Sequence, residues 1–311
     1  MPSLASPASD LLRADRLHEV PLRVFYGHHK CATAWIDGIL REVCLHLGIR
    51  FKIVHLPKHF EAVGSLGRLV AQERLDVLAY TNADAAHVAD LPAHRGFHVV
   101  RDPRDIWVSA YFSHRHSHST KGWPELEHHR RELQRLSKEE GLFRELAFSR
   151  PTFEEMQSWD YTQDHVLELK MEGLTADPLT GFVRILTWLD LLEKQGEGVH
   201  PVRTATLRLN RLNHRGRRFM PGNLPVFPVP RRRLARIPRS ELGRILRQRS
   251  FARLTGGRKR GTENVKSHYR KGTPGDWRNH LSEAHIRAFK ERYGDLLVTL
   301  GYETSPDWYL P

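Results

Sequence analysis

Short apolar runs alternate with longer amphipathic stretches along this chain. The runs at 22–26, 51–54, 76–80, 97–100 and 165–169 read as short strands. Stretches with apolar positions three to four apart read as helices at 33–47, 61–74, 103–115, 124–147, 152–159, 178–191, 239–253 and 281–299. That alternation predicts an α/β fold, with a central parallel sheet flanked by helices on both faces. Ligands of such a sheet sit at the carboxyl ends of its strands. Residues 1–20 read as a loosely held leader and 21–311 as one domain, a length that allows a sizeable core. There is no internal repeat.

Chemistry enters where a strand pattern meets a helix pattern. Gly27 to Trp35 (GHHKCATAW) follows the apolar run Leu22 to Phe25 and precedes the amphipathic stretch Ile36 to Leu47. A strand-to-helix turn aims backbone N–H groups and the positive helix end at one point, which suits a phosphate. Lys30 adds a mobile charge and Thr33 a hydroxyl. The Walker A spacing is absent, which argues against an ordinary NTP-hydrolysing P-loop. A second junction follows Phe97 to Val100. Asp102 is placed as an N-cap and Pro103 at the first helical position. Ser109 lies about two turns from Arg101, on the same side as the strand end. A third segment, Arg270 to Asn279, is a basic loop that Gly272 and Gly275 keep open.

Together these segments resemble the sulfotransferases that use 3′-phosphoadenosine 5′-phosphosulfate (PAPS). Lys30, Thr33 and Trp35 match that family's phosphosulfate loop, Lys-Ser/Gly-Gly-Thr-Thr-Trp, from which Cys31, Ala32 and Ala34 depart. Arg101, Pro103, Asp105 and Ser109 match its motif Arg-x-Pro-x-Asp-x-x-x-Ser. Arg270 to Trp277 matches its late loop, Arg-Lys-Gly-x-x-Gly-Asp-Trp-Lys, with Arg278 for the lysine. Leu169 to Leu174 with Asp177-Pro178 is similar to its Leu-x-Tyr-Glu-Asp-Leu…Asp-Pro, with Met171 in the tyrosine's place. Ser250-Phe251 resembles its adenine contact.

The resemblance implies a P-loop-like strand–loop–helix that binds the phosphosulfate, formed by Lys30, Cys31, Ala32, Thr33, Ala34 and Trp35. It implies a 3′-phosphate site of Arg101, Ser109, Arg270, Lys271 and Gly272, and adenine held by Trp35, Ser250 and Phe251. Lys30 would neutralise the leaving phosphate, adenosine 3′,5′-bisphosphate (PAP) would be the product, and no metal is called for. A phosphotransferase with an unusual loop is the rival enzyme. Against it stand the missing Walker A and the lack of an obvious aspartate pair for Mg²⁺. The family's Lys-Thr-His-Leu-Pro histidine has no counterpart in Tyr80-Thr81-Asn82-Ala83-Asp84. The loop after the second strand offers His55 and His59, which are the candidates for general base, with Asp84 and Glu61 behind them. A hydroxyl on a glycan, lipid, polyketide or phenol, or an amine, would serve as acceptor.

Composition adds three points. No apolar run approaches the roughly 18 residues of a membrane span. The charged N-terminus does not read as a signal peptide. Cys31 and Cys44 are the only cysteines and, placed at opposite ends of one helix, cannot pair within one protomer, which fits a cytoplasmic protein.

The net charge is +13, and residues 203–260 hold 18 Lys or Arg against the single Glu241. With its prolines, the stretch at about 203–238 reads as a basic, extended insertion, its 219–238 part a mobile lid, before a basic helix. It would close over the anionic cofactor or acceptor, dock an acidic carrier protein or membrane surface, or remain solvated. Nucleic-acid binding is the rival from another class. The region has few aromatics for stacking, which argues against it. Among the 20 histidines, His114, His116 and His118 alternate as in a strand or loop and not along one helix face; a metal site would need converging ligands with a structured second shell, and none is expected there. His128-His129 reads as exposed, and His28-His29, beside Lys30, either contacts phosphate or lines the turn.

Overall fold

The computed structural model describes residues 22–194, 201–216 and 233–308. The leader at 1–20 and most of the expected lid at 219–238 lie outside the described residues. In chain order the elements are β1 (Leu22–Gly27), α1 (Thr33–Leu47), β2 (Phe51–Val54), α2 (Leu66–Glu73), β3 (Val77–Tyr80), α3 (Ala85–Val88), β4 (His94–Val100), α4 (Pro103–His116), α5 (Pro124–Arg135), α6 (Lys138–Phe148), α7 (Arg150–Ser158), β5 (Val166–Lys170), α8 (Met171–Ala176), α9 (Pro178–Trp188), α10 (Pro201–Gly216), α11 (Arg239–Gln248), α12 (Phe251–Leu254) and α13 (Glu283–Thr299).

The five strands form one parallel sheet in the order β2-β3-β1-β4-β5. Every residue of β1 is buried, because a central parallel strand is covered on both faces. Its side chains alternate between two cores. Phe25 packs with Ile39 and Val43 of α1 and Phe182 of α9. Val24 and Tyr26 pack with Leu69 and Val70 of α2. A third cluster joins α4, α6, α7 and α13 through Trp107, Leu142, Phe153 and Phe289. From β1 the chain runs first to β2 and β3 on one side, then to β4 and β5 on the other. The loops after β1 and β4 therefore open side by side, at the switch point where such sheets bind ligands.

The helical expectations need five corrections. The stretch expected as one helix at 239–253 breaks after Gln248 into α11 and α12, the second capped by Ser250. The stretch expected as one helix at 124–147 is two, α5 and α6. Ser137 starts the second with a capping box to Glu140. The beginning of the supposed extended insertion is helical instead. α10 places Leu207 in the first core, and Asn210 Nδ2 donates to His46 O at 2.9 Å. His114 lies inside α4 and is buried, as is His129 in α5, because both hydrogen-bond the buried Glu145. Finally, Cys31 lies in the turn before α1 and not in the helix.

The basic segments dock through ion pairs. Arg203 pairs with Glu193, Arg233 with Asp76, Arg236 with Asp190 and Arg249 with Glu42. Among the described residues no helix is long and apolar enough to cross a membrane.

One buried cation ties α4 to the C-terminal segment. Arg104, 2% exposed, donates to both oxygens of Asp102 and pairs with Glu303. Its guanidinium lies 4.0 Å from the ring centre of Trp277 and 4.5 Å from that of Trp308. Removing one partner of a buried pair leaves the other uncompensated and costs about 3–5 kcal/mol. Arg104→Ala is therefore expected to lower unfolding free energy by about 3 kcal/mol in urea titration. A loss under about 1 kcal/mol, the range of an exposed pair, would show that Asp102 and Glu303 find other partners.

Candidate functional site

The loop after β1 is held in a strained shape. Lys30 (φ 66°) and Ala32 (φ 60°) both occupy the left-handed region, which costs a residue with a side chain roughly 1–2 kcal/mol. Cys31 N donates back to His28 O at 3.2 Å, closing the turn. A Cβ at Gly27 would come within 2.9 Å of Thr33 and the Phe25 ring, so only glycine permits this approach of strand to helix. Ala32 precedes α1 and offers no side-chain cap, leaving the first amides of the helix open. Such a concavity of N–H groups favours an anion.

Arg101, at the end of β4, fastens this loop to its neighbour. Its Nη1 donates to Lys30 O at 3.1 Å, and its buried Nε has no hydrogen-bond partner among the described residues. Asp102 caps α4, which carries Ser109 to the same opening. Asp105 accepts from Gly275 N at 2.6 Å and Trp277 N at 3.0 Å. That carboxylate anchors the third segment to α4.

The three segments enclose a cavity of ≈ 480 Å³. Of the residues expected at the donor, Lys30, Ala32, Thr33, Ala34, Trp35, Arg101, Ser109, Ser250, Phe251, Arg270, Lys271 and Gly272 line it. Cys31 does not. Its side chain is buried with Val100 and Ile106, and burial pushes the thiol up to about 12. His55 and His59 stand after β2 and do not line the cavity. His55 Nδ1 lies 2.5 Å from Thr81 Oγ1, and Asn82 Nδ2 donates to His55 O at 2.7 Å. Asp84 caps α3, and Glu61 is exposed in a short 3₁₀ turn.

The charges around the cavity are arranged against repulsion. Burial, with Arg101 and Arg270 adding to it, pushes Lys30 down to about 7. Arg270 and Lys271 both pair with Asp276, and Arg270 also with Glu263. Burial works to raise Asp276. Its hydrogen bonds from Lys271, Asn279 and Arg270 outweigh this and hold the carboxyl far below the usual range.

Arg247, Arg260, His268 and Tyr269 also line the cavity and were not expected there, and so does His118, which read only as an alternating strand or loop position. A partial signal existed for one of them. Gly243, Leu246, Arg247 and Ser250 recur at helical spacing, which places them on one face.

No family model matches the chain, and no curated protein matches it in sequence. Among solved structures it is similar to mouse sulfotransferase SULT7A1 complexed with PAP, at 15% identity and a TM-score of 0.44 over 90% of this chain and 88% of that one. It is also similar to retinol dehydratase in complex with androsterone and inactive cofactor PAP, at 14% identity and a TM-score of 0.48 over 92% and 84%. A retinol dehydratase complex with retinol and PAP gives 16% identity and a TM-score of 0.43 over 97% and 87%. Likeness at this level assigns no role to a residue.

Gly272 makes the wall testable. Its φ is +73°, and a Cβ there would lie 2.6 Å from the Phe251 ring. Gly272→Ala is expected to destabilise the protein by about 1–3 kcal/mol, from left-handed strain plus overpacking, read as a lower denaturation midpoint. An unchanged midpoint would mean that Phe251 is not packed on this loop.

Proposed function

We propose that the cavity binds PAPS and that the protein transfers its sulfuryl group to a hydroxyl or amine. The observation carrying this reading is the convergence on one cavity of Lys30, Arg101 with Ser109, and Arg270 with Lys271, from three loops distant in sequence. Two separated cationic positions suit a donor bearing two separated phosphates. Trp35 and Phe251 in the same wall suit its adenine.

Sulfuryl transfer places nucleophile, sulfur and leaving oxygen in line while charge grows on the leaving phosphate. Catalysis is then chiefly positioning and electrostatic stabilisation. In this reading Lys30 and the open amides of α1 receive the leaving phosphate. That anion restores the positive charge that burial takes from Lys30. The 3′-phosphate goes to Arg101, whose Nε has room for an acceptor, and to Ser109, Arg270 and Lys271. An incoming phosphate competes there with Asp276 for both cations.

We assign the general base to His55. The loop after β3 lacks a histidine, and His55 from the loop after β2 sits against Thr81 of that loop. β2 and β1 lie two strand spacings apart, roughly 10 Å. An acceptor held between the loops after β1 and β2 would bridge them, with His55 on its far side from the donor cavity. His59 Nδ1 accepts from His55 N at 3.3 Å and steadies the turn. The acceptor is a small molecule, glycan or lipid with a nucleophilic group. A cytoplasmic setting is in keeping with two buried cysteines.

Calorimetry of PAP against 5′-AMP tests the donor. Arg101→Ala is expected to weaken PAP at least about tenfold, the loss of one charge-assisted contact, and to leave 5′-AMP nearly unchanged. Equal losses for both ligands rule out a 3′-phosphate at Arg101.

Turnover tests the roles of Lys30 and His55. Lys30→Ala should remove most activity in a folded protein. His55→Ala should lower turnover by about 10²–10⁴ with little change in PAP affinity. Wild-type rates in His55→Ala would return the assignment to His59, Asp84 or Glu61. A parallel fall in PAP affinity would make His55 a donor contact instead.

A further inference from the structure

We infer that His29, His114 and His118 form a binding site for a divalent transition-metal ion of the zinc class in the wall of the cavity. The three residues offer ring nitrogens that all lie within 4.8 Å of one another. Their ring centres form a near-equilateral triangle, 5.1 Å from His29 to His114, 5.2 Å from His29 to His118 and 5.6 Å from His114 to His118. Imidazole nitrogens bind zinc at 2.0–2.1 Å, which puts ring centres about 3.2 Å from the ion and about 5.2 Å apart in a tetrahedral set. The observed triangle has that size.

One nitrogen of each ring converges with the ring centres. His29 Nε2 and His114 Nε2 face each other at 3.0 Å. A shared proton would account for that contact alone. It does not account for His118, which completes the triangle and whose Nδ1 is buried with no hydrogen-bond partner among the described residues.

The surroundings are those of a metal ligand set. His114 Nδ1 donates to Glu145, 2.9 Å from Oε1, which leaves Nε2 as the lone-pair nitrogen on the side of His29. Glu145 is fully buried and is fixed in turn by His129 Nε2 at 2.8 Å and Ser149 Oγ at 2.6 Å. A carboxylate behind a ligating histidine sets its tautomer and raises its basicity. Glu145 also supplies a buried negative charge to offset the ion. Trp123 packs edge-on against all three imidazoles and shields them.

His29 and His118 line the same cavity as Lys30. Three protein ligands leave a fourth tetrahedral position, which a water or an anionic oxygen from the cavity would fill. The family resemblance calls for no metal, so this site belongs to the chain's own histidines and does not depend on the sulfotransferase reading.

The test uses the full-length chain, purified without immobilised nickel. Its zinc content is measured by mass spectrometry, and after dialysis against a chelator it is titrated with Co²⁺ while the visible absorption is followed. One equivalent of zinc, or a saturable tetrahedral cobalt band at one equivalent, is expected. Glu145→Gln should weaken cobalt binding about 10- to 100-fold. His118→Ala should remove the band from a protein with an unchanged circular dichroism spectrum, and it carries the test alone if Glu145→Gln does not fold. Substoichiometric zinc with no cobalt band in the wild type overturns the proposal. A cobalt affinity unchanged by folded His118→Ala also overturns it. PAP binding is measured separately, so either outcome leaves the donor assignment to its own experiment.

Discussion

Several cations face one cavity, and their mutual repulsion is the constraint around which the site is arranged. Each is relieved differently. Lys30 is pushed towards its neutral form by burial and by Arg101. Arg101 spends one donor on the carbonyl of Lys30 and keeps its Nε without an acceptor among the described residues. Arg270 and Lys271 share Asp276. A ligand with several negative charges would relieve all three at once. The free site is in this sense held in tension, as a buried charge without its counter-ion must be.

That tension is borne by the fold. The order β2-β3-β1-β4-β5 sets the Lys30 and Arg101 loops side by side. Asp105, one turn into α4, then holds the third loop through two backbone amides. Asp105 belongs to the same short motif as Arg101 and Ser109, yet it points away from the cavity's work and towards its assembly. Arg104, its neighbour, does the same on the other side by stacking between Trp277 and Trp308. Arg101 just before α4 and Ser109 within it thus line the cavity, while Asp105 in its first turn fastens the loop that completes the wall.

Much of this was legible because its causes are local. Each strand carries a short apolar run with at most isolated polar residues inside it, so all five are visible in the sequence, and their observed bounds differ by at most a few residues. The loop of Lys30 and the Asp102-Pro103 start of α4 are written in adjacent residues. What stayed hidden depends on partners distant in sequence. His114 and His129 read as polar positions of a loop and an exposed face, because nothing in their own segments announces Glu145. The break at Ser137 was the exception. Its capping box with Glu140 is local and was there to be read. The pairing of Arg270 and Lys271 with Asp276 was not, since a carboxylate six residues on serves equally as a turn residue.

The surplus of basic residues late in the chain reads differently once the acids are located. Arg203, Arg233, Arg236 and Arg249 meet Glu193, Asp76, Asp190 and Glu42, so part of the charge fastens α10 and the segment before α11 to the segment after α9 and the residue before β3, and the end of α11 to α1. Such pairs contribute little stability each when exposed. Their value here is positional, because α11 carries Gly243, Leu246 and Arg247, and the turn after it Ser250, into the cavity wall. A free basic band would bind polyanions indiscriminately. Among the described residues, these arginines are instead matched by acids that the first two-thirds of the chain provides. Lys30, Arg101, Arg270 and Lys271 meanwhile lie together at the cavity, where a small polyanionic ligand would meet them at once.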